Sequence, residues 1–119
     1  MSQATLVVED NTNRRHWFVH HVPQAFLVEG NDEAIRVFEQ FAPWDNIILD
    51  FDLAPGIDSV PFARYLAEVK FNGHVVVSSE NPFGMQVLSR ILPTAEVLPF
   101  HLLRREVEWA WGVAGEELF

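Results

Sequence analysis

Cysteine is absent from this chain. That excludes a disulfide framework and any thiolate metal site, and it suits a reducing, cytoplasmic setting. Basic residues are scarce: eight Lys and Arg stand against seventeen Asp and Glu, a net charge of −9. Such an acidic surface repels phosphate backbones and argues against general nucleic-acid binding. A divalent cation or a basic protein partner is easier to accommodate, unless the excess acid serves solubility alone. Long apolar runs are also missing. No stretch approaches the length that spans a bilayer, and residues 1–20 lack the apolar segment of a secretory signal, so no membrane contact is expected. There is no internal repeat or low-complexity tract, and His20, His21, His74 and His101 show no zinc-ligand spacing. What is present describes one ordinary globular domain over residues 1–119, with 49% hydrophobic and 21% charged residues.

Five short apolar runs alternate with helix-like stretches. The runs Thr5–Val8, Ala25–Val28, Asn46–Leu49, His74–Ser78 and Glu96–Leu98 read as strands. Strands alternating with helices predict an α/β fold around a parallel sheet. The continuous Ile, Leu and Val of the third and fourth runs fit strands covered by helices on both faces. Asn31 is placed to cap one helix, with Ala34, Val37, Phe38 and Phe41 as its apolar stripe. Ser59 and Pro61 mark the start of another, with Phe62, Tyr65, Leu66 and Val69 inward. Met85, Leu88 and Leu92 line a fourth helix, and a last one is expected from about His101 to Val113. There Leu103, Val107, Ala110 and Trp111 face inward; Trp109 and Trp111, two positions apart, cannot share a face.

Acidic residues end two of these strands: Glu9-Asp10 follows Leu6-Val7-Val8, and Asp50-Phe51-Asp52 follows Ile47-Ile48-Leu49. In a doubly wound sheet of order 2-1-3-4-5 the first and third strands flank the topological switch point, where ligands bind at the carboxyl ends. Carboxylates gather there only when a cation, a proton or a phosphate-bearing partner offsets their repulsion. Asp10, Asp50 and Glu9 are therefore candidate ligands for Mg²⁺, which takes oxygen donors and binds through one or two carboxylates. Alternation along the chain turns Asp52 to another side from Phe51. Ser78, Ser79 and Asn81 lie on the loop entering the fourth helix, suited either to an anion at a helix N-terminus or to an Asn-Pro turn and cap. Arg15 and His16 either reach a phosphate near Asp10 or sit on a solvated helix face.

These residues resemble a two-component receiver domain, a flavodoxin-like fold with an acidic pair after the first strand and a phosphoacceptor aspartate after the third. Glu9-Asp10, Asp50, Ser78 and Leu98-Pro99-Phe100 fall at the expected places. The chain also resembles the cyclic-phosphate-processing receiver group through Glu9-Asp10 with Arg15-His16, Asp50-Phe51-Asp52-Leu53 and Ser79-Glu80-Asn81-Pro82-Phe83-Gly84 after Ser78. The resemblance implies Asp50 as phosphoacceptor or catalytic residue, Mg²⁺ at Glu9, Asp10 and Asp50, and a phosphorylated small molecule near Ser78, Ser79, Asn81, Arg15 and His16. It also implies a homodimer or protein partner at the last strand–helix edge and a cis Leu98-Pro99 bond. Against the pattern, Leu98 replaces the receiver lysine, and Phe51 and Ser78 replace the two histidines. Neither replacement titrates near neutrality, as acid–base work requires. A pseudo-receiver serving as a protein-interaction module is thus the rival expectation.

Overall fold

The computed structural model describes residues 4–22 and 24–103. Its elements in chain order are β1 (Thr5–Val8), α1 (Thr12–His21), β2 (Phe26–Val28), α2 (Asn31–Gln40), β3 (Asn46–Leu49), β4 (Asp52–Ala54), β5 (Ile57–Asp58), α3 (Val60–Glu68), β6 (His74–Val77), α4 (Pro82–Ile91) and β7 (Glu96–Val97). Residues 100–103 are helical. Residues 104–113 of the expected last helix, with Val107, Trp109, Ala110 and Trp111, lie outside the described residues.

The five long-range strands pair in parallel as β2-β1-β3-β6-β7. This is not the numbered order 2-1-3-4-5 expected from the runs, because an antiparallel hairpin, β4 and β5, intervenes after β3. Its signal was Pro55-Gly56: Gly56 has φ of 75°, a conformation that turns demand and only glycine adopts freely.

Successive residues of a strand point to opposite faces, and two separate apolar clusters result. Leu6, Val8, Ile47, Leu49, Val75 and Val77 join Ala34 of α2, Phe62, Ala63 and Leu66 of α3 and Leu88 of α4. Val7, Ile48 and Val76 join Phe18 of α1, Val22 and Leu103. The stripe expected on α2 holds through Ala34, Val37 and Phe38, but Phe41 is exposed beyond the helix end. Val69 is likewise an exposed C-cap of α3 rather than part of its inner face.

The caps differ from the sequence pattern in an informative way. Gly30 precedes α2, so Asn31 is its first helical residue rather than its cap. Asn31 instead serves the neighbouring helix: its Nδ2 donates to the Asp58 carbonyl at 2.9 Å, and its Oδ1 accepts from the Phe62 N–H at 3.0 Å. That N–H belongs to the first turn of α3, where no intrahelical acceptor exists. Asp58 Oδ1 accepts from Val60 N–H at 2.9 Å, so Ser59, the residue at the cap position, makes no capping bond. The cis X–Pro bond of the described chain is Ala42-Pro43, not Leu98-Pro99. Pro99 instead heads a helical turn, its carbonyl accepting from Leu102 and Leu103 N–H at 3.0 Å each, a place where a missing N–H costs nothing.

Phe62 is fully buried while Phe83 is 68% exposed. Phe62→Ala should therefore lower unfolding free energy by about 3–5 kcal/mol, and Phe83→Ala by less than about 0.5 kcal/mol, as read from urea denaturation midpoints.

Candidate functional site

The register of β1 on β3 sets the site. Val8 pairs with Leu49, the Asp50 N–H donates to the Val8 carbonyl at 3.1 Å, and the next residue of each strand, Glu9 and Asp50, emerges at the same sheet edge. Both are almost wholly buried. With half-buried Asp10 they place one carboxylate oxygen each within 4.8 Å of one another. These are three of the four strand-end acids singled out by the sequence. Asp52, the fourth, is exposed on β4, where its Oδ2 accepts from Asn81 Nδ2 at 3.3 Å.

Crowding and burial act on the pair together. Burial, a hydrogen bond with Asp50 and the Asp50 charge push the Glu9 carboxyl up to about 8. Burial also raises Asp50, opposed by hydrogen bonds from Glu9 and Ser79 and by the Arg14 charge. Burial and mutual proximity thus favour a protonated form of the Glu9–Asp50 pair over two separate carboxylates.

The flanking residues divide into two kinds. Ser79 is buried, donates to Asp50 and accepts from Asn81 N–H at 3.1 Å. Ser78 is buried at the end of β6, its N–H donating to the Leu49 carbonyl at 3.0 Å, and its Oγ has no hydrogen-bond partner. Asn81 is the N-cap of α4, accepting from Gly84 N–H at 3.1 Å; with Nδ2 on Asp52, both ends of its amide are used within the protein. Pro82 follows at the first helical position. Gly84 is required for packing: a Cβ there would overlap the ring of Phe51. The Asn-Pro-x-Gly motif therefore builds a capped helix end that seats Phe51.

Arg15 Nη1 donates to the Glu9 carbonyl at 2.8 Å, and its Nε lies 3.8 Å from Glu29 Oε1. His16 is exposed and tilted against His20, ring centroids 4.4 Å apart. The residue that sequence reasoning missed is Arg14, whose Nη1 lies 3.7 Å from Glu9 Oε1. The signal was Asn11, whose Oδ1 accepts from Arg14 N–H at 3.0 Å as the cap of α1. Side chains lean toward a helix N-terminus, and a helix phased from Asn11 leans Arg14 back over the end of β1. Leu98, where a receiver has lysine, packs against the second apolar cluster with Trp17 and Phe100.

No family model matches the chain, and no curated protein matches it. Solved structures do. The response regulator TrrA of Thermotoga maritima, in complex with Mg²⁺ and beryllium fluoride, is 20% identical at a TM-score of 0.70, over 89% of this chain and 96% of that one. A Francisella response regulator receiver domain is 15% identical at 0.68, over 87% and 93%. The N-terminal domain of an uncharacterised Wolinella succinogenes protein is 21% identical at 0.70, over 92% and 94%. At these identities the likeness establishes a receiver-like α/β fold.

The raised acids make stability pH-dependent with a defined sign. Below pH 4.5 both folded and unfolded chains hold the Glu9 proton; from 4.5 to about 8 only the folded chain does. Stability therefore falls as pH rises through that window, and Asp50, also raised, acts with the same sign. In calorimetry of the metal-free protein, Tm should drop between pH 5 and pH 8, and Glu9→Gln should flatten that drop.

Proposed function

We propose that this chain is a receiver-fold domain that binds a divalent cation of Mg²⁺ type through Glu9, Asp10 and Asp50 and takes a phosphorylated group beside it. One observation carries the reading: three carboxylates, two of them buried, converge within 4.8 Å at the carboxyl ends of β1 and β3. The donor set is all oxygen and strongly anionic, which fits magnesium. The ion would stabilise the charged carboxylates that burial, and then the neighbouring Asp50, disfavour at Glu9. Asp50, held by hydrogen bonds from the Phe51 N–H and Ser79, would serve as phosphoacceptor or ligand. The likeness to a receiver whose structure holds Mg²⁺ and beryllium fluoride supports the same ligand class here.

Turnover of cyclic phosphates is the finer reading within this class, and the side chains give it less support than binding. Phe51 is packed against Gly84 and Ser78 has no ionisable group, so neither replaces a histidine as acid or base. The interaction-module reading draws on a different observation. Leu98 joins an apolar cluster where a lysine would meet a phosphoryl group, and Val97 and Leu102 beside it are exposed. A protein partner or a second copy of this chain would use that edge.

Titration calorimetry with Mg²⁺ and Mn²⁺ at pH 8 separates the readings. The cation pocket predicts binding in the millimolar range or tighter, abolished by Asp50→Asn together with Glu9→Gln. Absence of heat or of any Mn²⁺ relaxation effect at millimolar metal rejects it. The module predicts that Asp50→Asn leaves partner binding intact whereas Leu102→Asp removes it.

A further inference from the structure

An acidic pocket that receives a phosphoryl group needs positive charge of its own beyond the metal. The chain has one lysine, Lys70, which follows α3 and so lies at the amino end of the sheet, opposite the pocket. Leu98 cannot serve, and Arg15 is committed to the Glu9 carbonyl and to Glu29. Arg14 is differently placed. It stands in the first turn of α1 with its guanidinium carbon 5.8 Å from the Phe100 ring centroid. Its side chain is only 18% exposed, and it acts electrostatically on both Glu9 and Asp50.

Among the described residues three buried side-chain atoms lack hydrogen-bond partners: Ser59 Oγ at the start of α3, and two on the elements that flank the acids. Arg14 Nη1 is buried without a hydrogen bond, and so is Ser78 Oγ. A buried donor left unmade costs about 1–3 kcal/mol, and unsatisfied groups of this kind are rare enough in native proteins to ask for a ligand. The Glu9 carboxyl does not satisfy Arg14, since 3.7 Å is beyond hydrogen-bond length. Ser78 follows the strand that pairs with β3, and its N–H is bonded to Leu49, the residue before Asp50. Carboxylates short of a cation and donors short of an acceptor thus meet at one strand end. A phosphoryl dianion held beside a bound cation would supply both.

We propose that Arg14 is the phosphate-binding cation of this pocket, donating from Nη1 to one phosphoryl oxygen while Ser78 Oγ donates to another. It replaces from α1 the charge that Leu98 does not provide after β7. The inference rests on the phosphate-and-cation reading above and adds the recognition residue to it.

Trifluoroberyllate, a phosphoryl mimic, tests it when titrated in saturating Mg²⁺ into wild type, Arg14→Met, Arg14→Lys, Ser78→Ala and Arg36→Met. Arg14→Met should bind Mg²⁺ as tightly as wild type or tighter, since a repelling charge is gone. It should lose trifluoroberyllate affinity by about tenfold to a hundredfold, the worth of one charge-assisted hydrogen bond. Lysine should recover part of that affinity, because it keeps the charge without the planar fork. Ser78→Ala should weaken the mimic by a smaller factor, and Arg36→Met, at an exposed position of α2, should leave it unchanged. If Arg14→Met, folded by circular dichroism, binds trifluoroberyllate as wild type does, the assignment is overturned; should that variant not fold, Arg14→Gln decides by the same criterion. Wild type binding Mg²⁺ but no mimic overturns the phosphate position as a whole, and wild type binding neither removes the underlying reading.

Discussion

Everything about the pocket follows from one constraint: two adjacent parallel strands in register each end in an acid. The pairing of Val8 with Leu49 leaves Glu9 and Asp50 no choice but to share a buried corner. Two negative charges in that corner repel, and burial removes the water that would screen them. The protein meets this by holding a proton on Glu9, by setting Arg14 alongside, and by aiming Ser79 and the Phe51 N–H at Asp50. On the proposed reading, a cation entering the corner would displace that proton, and its affinity would then depend on pH.

The surroundings of the corner are tied together by caps and cross-element hydrogen bonds. The α4 cap, the Pro82 start and the glycine at position 84 hold Phe51 against the helix end. Asn81 ties that cap to Asp52 at the start of the hairpin, and Asn31 ties the start of α2 to the start of α3. Polar side chains at helix ends therefore join elements to one another rather than merely closing their own helices. Such cross-links suit a site whose ligands must stay within a fraction of an ångström of a fixed geometry.

Much of the framework was legible from the chain. Thr5–Val8 and Asn46–Leu49 appear as strands with the bounds read from the chain, because every residue of both is buried and each opens with one polar residue before an unbroken apolar run. Runs nearer the sheet edges were off by one residue: β2 begins at Phe26, β6 ends at Val77 and β7 at Val97. There the ladder, not hydrophobicity, sets the end. The hairpin was less visible, since Asp52–Ala54 and Ile57–Asp58 are too short to show a period. Asn31 and Ser59 misled as caps because capping propensity is local: Asn31 serves the start of α3 instead of its own helix, and the N–H groups there are met by Asn31 and Asp58 rather than by Ser59.

The order of residues alone determined which strands end in carboxylates, that no thiol or abundant cation is present, and that the apolar runs would be buried. Those facts depend on composition and on nearest neighbours along the chain. Only the tertiary structure decided that Glu9, Asp10 and Asp50 converge while Asp52 turns away, and that Arg14 rather than Arg15 faces the acids. It also decided that His16 lies against His20, at the surface. Which of two neighbouring arginines enters a pocket depends on the phase of a helix and on how that helix lies against the sheet. Neither quantity is carried by any single residue, and both are fixed only when the two apolar clusters close.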